Sequence, residues 1–408
     1  MMLQSEKSLG GLGMAGDWVE APLGDVITLQ RGFDLPSQNR KPGKVPIVSS
    51  SGVSDYHSEV GVKGPGVVTG RYGTIGQVFL IKEDFWPLNT TLWVKDFHGN
   101  DPHFASYLLR TIDFQSCSDK SSVPGVNRND LHRIPVLLPP LAEQKAIAEV
   151  LGALDDKIEL NRRMSATLEA MARTLFQSWF VDFDPVRAKL DGRHPVGMDE
   201  ATAALFPSYF DHKDEGVIPT GWRATILGEV IEIFDSKRIP LSGREREARH
   251  GKFPYHGAAS VMDYVDDFLF DGIYALMGED GSVINEDGTP VLQYVWGKFW
   301  VNNHAHVLRG KNGISTEHLL LHLKGCNIAP FVTGAVQPKL NQGNMNRIPF
   351  MLAPPEIGQA FTKAIEPLFA QIRANTEQSS TLAILRDTLL PRLLSGELSL
   401  EGMKTRSD

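Results

Sequence analysis

Cysteine is almost missing from this 408-residue chain, which holds only Cys117 and Cys326. Two thiols cannot build a disulfide framework or a thiolate metal centre, so a cytoplasmic setting is expected. Long apolar runs are missing too, and no stretch approaches the roughly 20 residues that a membrane helix needs. The start, "MMLQSEKSLGGLGMAGDW", has no apolar stretch behind a basic segment, so residues 1–16 read as a flexible leader and not a signal peptide. Nucleotide chemistry has no P-loop to stand on. "GPGVVTGRYGTIG" is glycine-rich but lacks a strand-to-helix context, and reads as strand turns with Arg71 at a tip. No Asn-Pro-Pro-aromatic tetrapeptide is present, the element with which an amino-methylating enzyme would hold a flipped base. His304 and His306 share a strand face without a third ligand nearby, and read as strand-edge histidines. These absences leave no catalytic set and no metal site.

What is present is a globular composition, 42% apolar and 22% charged, with a net charge of -8. The charge is unevenly spread. Asp263 to Asp287 holds eight acidic residues and no Lys or Arg, fits no calcium-loop spacing, and reads as a solvated face. "RGFDLPSQNRKPGK" from Arg31 and "SKRIPLSGREREARHGK" from Ser236 are basic, and local fields of that kind attract anions.

The chain also repeats itself. "HRIPVLLPP" from His132 returns as "NRIPFMLAPP" from Asn346. "DWVEAPLGDVITLQRG" returns as "GWRATILGEVIEIFDS", with Trp18 and Trp222 204 residues apart. Lys44 pairs with Lys252, and Trp86 with Trp300. "VPGVN" from Val123 pairs with "QPKLN" from Gln337, and Gln144 with Gln359. Each copy reads as a mixed α/β unit of about 130 residues, with Val/Ile/aromatic strands broken by glycine turns and one short helix.

After each double proline the period becomes helical. Leu154, Asn161, Met164, Leu168, Met171 and Leu175 form an a/d-type stripe, matched by Ile372, Asn375, Leu382, Leu385 and Leu389. Two equal stripes in a duplicated chain are expected to pack on each other. A main helix of some 25–28 residues would be about 40 Å long. Pro367 predicts a late start for the second helix, and Pro391 a kinked or frayed end. The resulting division is leader 1–16, domain 17–140, helix 141–182, linker 183–216, domain 217–355, helix 356–399 and tail 400–408.

On the Pro-Pro-Leu-Ala-Glu-Gln run from Pro139, on Asp155-Asp156-Lys157-Ile158, and on Trp179-Phe-Val-Asp-Phe-Asp-Pro185, the chain resembles the specificity subunit of type I restriction-modification enzymes. The resemblance implies two target-recognition domains, each reading one half of a split double-stranded DNA sequence, and a helix pair, packed as an antiparallel coiled coil, that fixes the gap. It implies a non-catalytic chain without cofactors of its own. Two modification subunits would bring S-adenosylmethionine, and restriction subunits would bring ATP and Mg2+. The candidate DNA contacts are Arg31, Arg40, Lys41, Arg71, Lys120 and Arg128 in the first copy. In the second they are Lys237, Arg238, Arg244, Arg246, Lys252 and Lys298. The rival readings are a stand-alone methyltransferase or nuclease, disfavoured by the missing motifs, and a coiled-coil adaptor without DNA readout.

Overall fold

The computed structural model describes residues 17–117, 125–213, 216–334 and 336–400. They divide into two compact units, one built on residues 17–161 and 377–400, the other on 162–376. The boundary crosses both long helices, so each unit holds one α/β domain with a segment of each helix.

The first domain has two main sheets. One orders Thr28–Arg31, Thr91–Asp96, Gly66–Gly70 and Val78–Ile81, all antiparallel. The other joins Gly52–His57, Val45–Ser49 and Trp86–Pro87, the last pair parallel. A third, small pairing of Val19–Pro22 with Pro135–Leu138 brings the start and end of the domain together. The helix Pro102–Arg110 closes the core; Asp101 caps it by accepting from the amides of His103 and Phe104. The second domain repeats the plan. Its four-stranded sheet runs Ile231–Ile233, Ala305–Gly310, Tyr274–Gly278, Leu292–Val295. Arg223–Ile226 pairs with Pro349–Leu352, and Ser315 caps Thr316–Lys324.

The twice-written apolar run before the double proline is therefore the closing strand of each domain. Proline ends the ladder because it has no N–H, and suits the first helical turn, where no N–H is needed. The helices Leu141–Phe176 and Pro355–Leu394 begin there. At 36 and 40 residues they are longer than expected, about 54 and 60 Å at 1.5 Å per residue. Pro367 neither delays nor ends the second helix. Its ring is exposed and so is Lys363, so the carbonyl it strands faces water, while Ile365 and Phe369 beside it are buried. Their burial offsets a cost of about 3 kcal/mol. Pro391 lies three residues from the helix end.

Within each unit the two helix segments run antiparallel. In the first, Asn161 meets Gln378 and Asp155 meets Arg386, while Leu151 and Leu393 share the core. In the second, Asn375 meets Ser165, and Phe176 meets Phe361. The predicted stripe is only partly covered. Asn161 and Asn375 are buried, and Leu154, Leu168, Leu175, Ile372, Leu382 and Leu389 are half-buried, but Met164, Met171 and Leu385 are exposed. A single partner helix shields only a narrow strip, and Ala172, outside the predicted stripe, is fully buried instead.

The expected linker is not a linker. It holds the helices Asp184–Leu190 and Glu200–Leu205, and its Val186 and Phe206 join the core of the second unit with Trp179, Phe180 and Trp222. Their apolar positions occur in turns too short to show a period. The leader and tail lie outside the described residues, Leu400 excepted.

Candidate nucleic-acid interface

In the first domain Arg31, Arg71 and Arg128 line one cleft of about 460 Å³, with Tyr72, Asn127 and the apolar floor of Leu92 and Val126. Arg71 is placed by backbone on both sides: its N–H donates to Thr90 O at 2.8 Å, and its carbonyl accepts from Val126 N at 3.0 Å. Its guanidinium lies over the Tyr72 ring at 4.5 Å. Gly125 permits this arrangement, since a Cβ there would come within 2.4 Å of the Tyr72 ring. Among the described residues Arg71 and Arg128 have no carboxylate partner, and Arg31 touches Asp34 only at 3.4 Å, with both side chains more than half exposed. Such a pair contributes little. Among the described residues the exposed Arg31–Asp34 pair is the one carboxylate contact these three arginines make, and the cleft is a cationic recess.

The second domain has the same backbone at this place and the opposite chemistry. Leu340 N donates to Glu279 O at 2.9 Å, as Val126 does to Arg71, and the bridge between Asp280 and Lys339 repeats that between Tyr72 and Gly125. Continuing the strand registers puts Asp235 where Arg31 stands and His306 where Leu92 stands. Gln342 takes the place of Arg128. His306 is fully buried on an inner strand, so it is no strand-edge histidine. Its Nδ1 lies 2.6 Å from Asp235 and its Nε2 2.7 Å from Leu340 O. Burial works against the imidazolium, but Asp235 outweighs it, and His306 titrates above its ordinary value. Asp235 is held below the usual carboxylate range, burial being overcome by His306, Val307 N–H and Gln342.

Asp235, Glu279 and His306 place ligand atoms within 4.8 Å of one another, the metal-type grouping that the histidine motif lacked in sequence. The space between them is taken. Arg238 reaches Glu279 at 2.5 Å, Asp235 at 3.5 Å and Ala305 O at 2.6 Å. Two carboxylates, the His306 imidazole and the Arg238 guanidinium thus partner one another at this position.

A family model described as the type I restriction modification DNA specificity domain matches residues 15–170 and again 219–383. The chain belongs to this family. It is similar, at 26% identity, to the MjaIX specificity subunit of Methanocaldococcus jannaschii over 87% of this chain and 82% of the relative. To the HindI specificity subunit of Haemophilus influenzae it is 24% identical, over 94% and 100%. The fold is shared with the crystal structure of the type I S subunit from M. genitalium, at a TM-score of 0.57 and 17% identity over 94% of this chain and 98% of that one. The protein is a DNA-recognition subunit of a type I system.

The specificity subunit uses fewer of its predicted contacts as free cations than the sequence suggested. Arg40 pairs with Asp55 at 3.0 Å and Lys41 with Glu59 at 2.9 Å. Lys120 lies outside the described residues. In the second domain Arg238 is tied down as above, and Arg246 pairs with Asp263 at 3.1 Å and donates to Leu241 O at 2.8 Å. Arg249 pairs with Asp266 at 2.9 Å. The acidic run from Asp263 is thus no purely solvated face: much of it neutralises the basic stretch before it, because the hairpin of His250–His256 and Val261–Val265 folds one onto the other. Lys237, Arg244, Lys252 and Lys298 stay exposed; three of them lie over the rings of Phe234, Phe253 and Phe268. The sequence reading missed Tyr72 and Asn127, although the repeated five-residue motif ending at Asn127 marked the segment.

Proposed function

We propose that each domain of the specificity subunit reads one half of a bipartite DNA target, with the long helices setting the gap. One observation carries this reading: the sheets, the capped helix and the buried helix asparagine occur twice, while the charged side chains of one cleft differ between the copies. A common scaffold with divergent contact residues suits two half-sites of different sequence. Exposed cations would hold phosphates and set the register, and cleft residues would reach base edges.

In this proposal the chain itself is non-catalytic and works in the cytoplasm, where its DNA is. Methylation comes from two modification subunits carrying S-adenosylmethionine, and cleavage from restriction subunits using ATP and Mg2+. The helices offer apolar docking positions, Leu160, Ile384 and Leu385 in one unit and Met164 and Met171 in the other. The test is DNA binding by the specificity subunit assembled with its modification subunits, measured across salt concentrations. Steep salt dependence with sequence preference supports the reading. An adaptor without DNA readout shows neither, and methylation by the isolated chain would make it an enzyme.

A further inference from the structure

The two domains share a backbone at the cleft, and the Arg31–Asp34 pair and Arg71 of the first are replaced by residues of opposite charge in the second. Arg31 and Asp34 in the first domain become Asp235 and Arg238 in the second, three residues apart in each, with contacts of 3.4 and 3.5 Å. Arg71 becomes Glu279. Tyr72 against Gly125 becomes Asp280 against Lys339, an ion pair at 3.4 Å. The fourth replacement, Leu92 to His306, puts an imidazole where the floor had an aliphatic side chain. In the second domain every one of these charges finds a partner inside the protein. In the first, Arg31, Arg71 and Arg128 line one recess, and among the described residues only Arg31 has a carboxylate partner, Asp34.

We infer that the first domain reads the guanine of a G·C pair in the Arg31–Arg71–Arg128 cleft, and that the second domain reads no guanine at its equivalent position. This rests on the DNA-reading assignment above. The ligand must bring hydrogen-bond acceptors, because arginine only donates. It must present several, because three arginines line one space of about 460 Å³. In the major groove guanine shows two acceptors side by side, O6 and N7, which a single guanidinium spans bidentately; no other base offers that pair. A phosphate on the same strand accounts for the remaining cations.

Of the three, Arg71 is the one held for base readout. Its backbone is fixed by two hydrogen bonds and its guanidinium lies over Tyr72, so little freedom is lost on binding. Arg31 and Arg128 are exposed and suit phosphate oxygens. The second domain cannot use this position in the same way. A guanine there would face carboxylates, and Arg238 is already committed to Glu279, Asp235 and Ala305 O.

The experiment is methylation mapping of DNA exposed to the assembled complex, with the parent chain, Arg71→Ala, Arg71→Lys and Arg128→Ala. Exchange of Asp17–Pro140 for a relative's domain identifies which half-site belongs to the first domain. Arg71→Ala is expected to relax one G·C position of that half-site, so that a preference of about 5- to 150-fold falls to near unity. The other half-site should be unchanged, which also shows that the complex is intact. Arg71→Lys should relax the same position, since an ammonium cannot span both acceptors. Arg128→Ala should weaken both half-sites together and reduce the salt slope by about 0.9. The inference is overturned if the first half-site contains no G·C pair, or if Arg71→Ala leaves the motif intact and only flattens the salt slope. Failure of the parent complex to methylate any bipartite motif would overturn the underlying assignment instead.

Discussion

Asn161 donates its side-chain amide to Gln378 Oε1 at 2.9 Å from a position that is 1% exposed. Its repeat counterpart Asn375 donates to Ser165 Oγ at 3.3 Å. A buried amide in a helix seam specifies register at some cost in stability. Asn161→Leu is therefore expected to leave the melting temperature unchanged or raised, while the methylated motif acquires more than one gap length. A clear drop in melting temperature with a single gap length would show that the amide serves stability and not register.

Asp155 joins the first domain to both helices by accepting from Tyr107 at 2.8 Å, Arg110 at 3.1 Å and Arg386 at 2.6 Å. Burial disfavours its charge, but Arg386, Tyr107 and Arg110 outweigh that and keep it below its ordinary value. Its contribution is thus present above about pH 4 and is lost as pH falls through the lowered value. Asp155→Ala should cost about 2 kcal/mol at neutral pH, by urea unfolding, because it leaves the partly buried Arg110 without its carboxylate and Arg386 with Asp387 alone. A loss below about 0.5 kcal/mol would mean that this clamp is a surface pair in effect.

His318 gives the opposite sign. It is almost fully buried among Phe176, Phe180, Phe350 and Phe361, and neither ring nitrogen has a hydrogen-bond partner among the described residues. Burial, with a smaller effect of His322, pushes it down to about 3. Between that value and the unfolded value near 6.5 the unfolded chain holds one more proton, so stability falls as pH drops through this window. The corresponding residue of the first domain is Phe104. His318→Phe should raise stability at pH 7 by about 1 kcal/mol and flatten the acid side of the stability curve by one proton. An unaltered slope between about pH 4 and 6 would contradict this account of the buried imidazole.

The basic stretch of the second domain separates into two classes that a measurement can tell apart. Lys237, Arg244, Lys252 and Lys298 together changed to Ala should flatten the salt dependence of DNA binding, by about 0.9 in slope for each phosphate no longer neutralised, with little change in melting temperature. Arg238→Ala should instead cost about 3 kcal/mol of stability, since it leaves Glu279 and Asp235 with His306 as their one shared partner among the described residues. If Arg238→Ala melts like the parent and lowers the salt slope, that arginine is a DNA contact after all.

The difference between those classes marks where sequence reasoning stops. Trp18 and Trp222, Arg133 and Arg347, and the two double prolines announce a duplicated chain, and the helical stripes announce the long helices, because both signals are periodic. The partner of a charge is not periodic. Arg246 looks like a phosphate contact until the hairpin register brings Asp263 to it. His306 looks lone until Asp235 arrives from a turn 71 residues away. Arg31 and Arg71 could be named from charge, but their convergence with Arg128 depends on strand pairing across the whole domain. Val186 and Phe206 were hidden for another reason, that isolated apolar residues between prolines carry no pattern.

The most direct test of the account is exchange of Asp17–Pro140 for the same domain of a relative, followed by methylation mapping with the assembled complex. If each domain reads its own half-site, one half of the methylated motif changes to the relative's, while the other half and the gap length stay as they were. If both halves change together, or the gap changes with them, recognition is shared between the domains and the modular account is wrong.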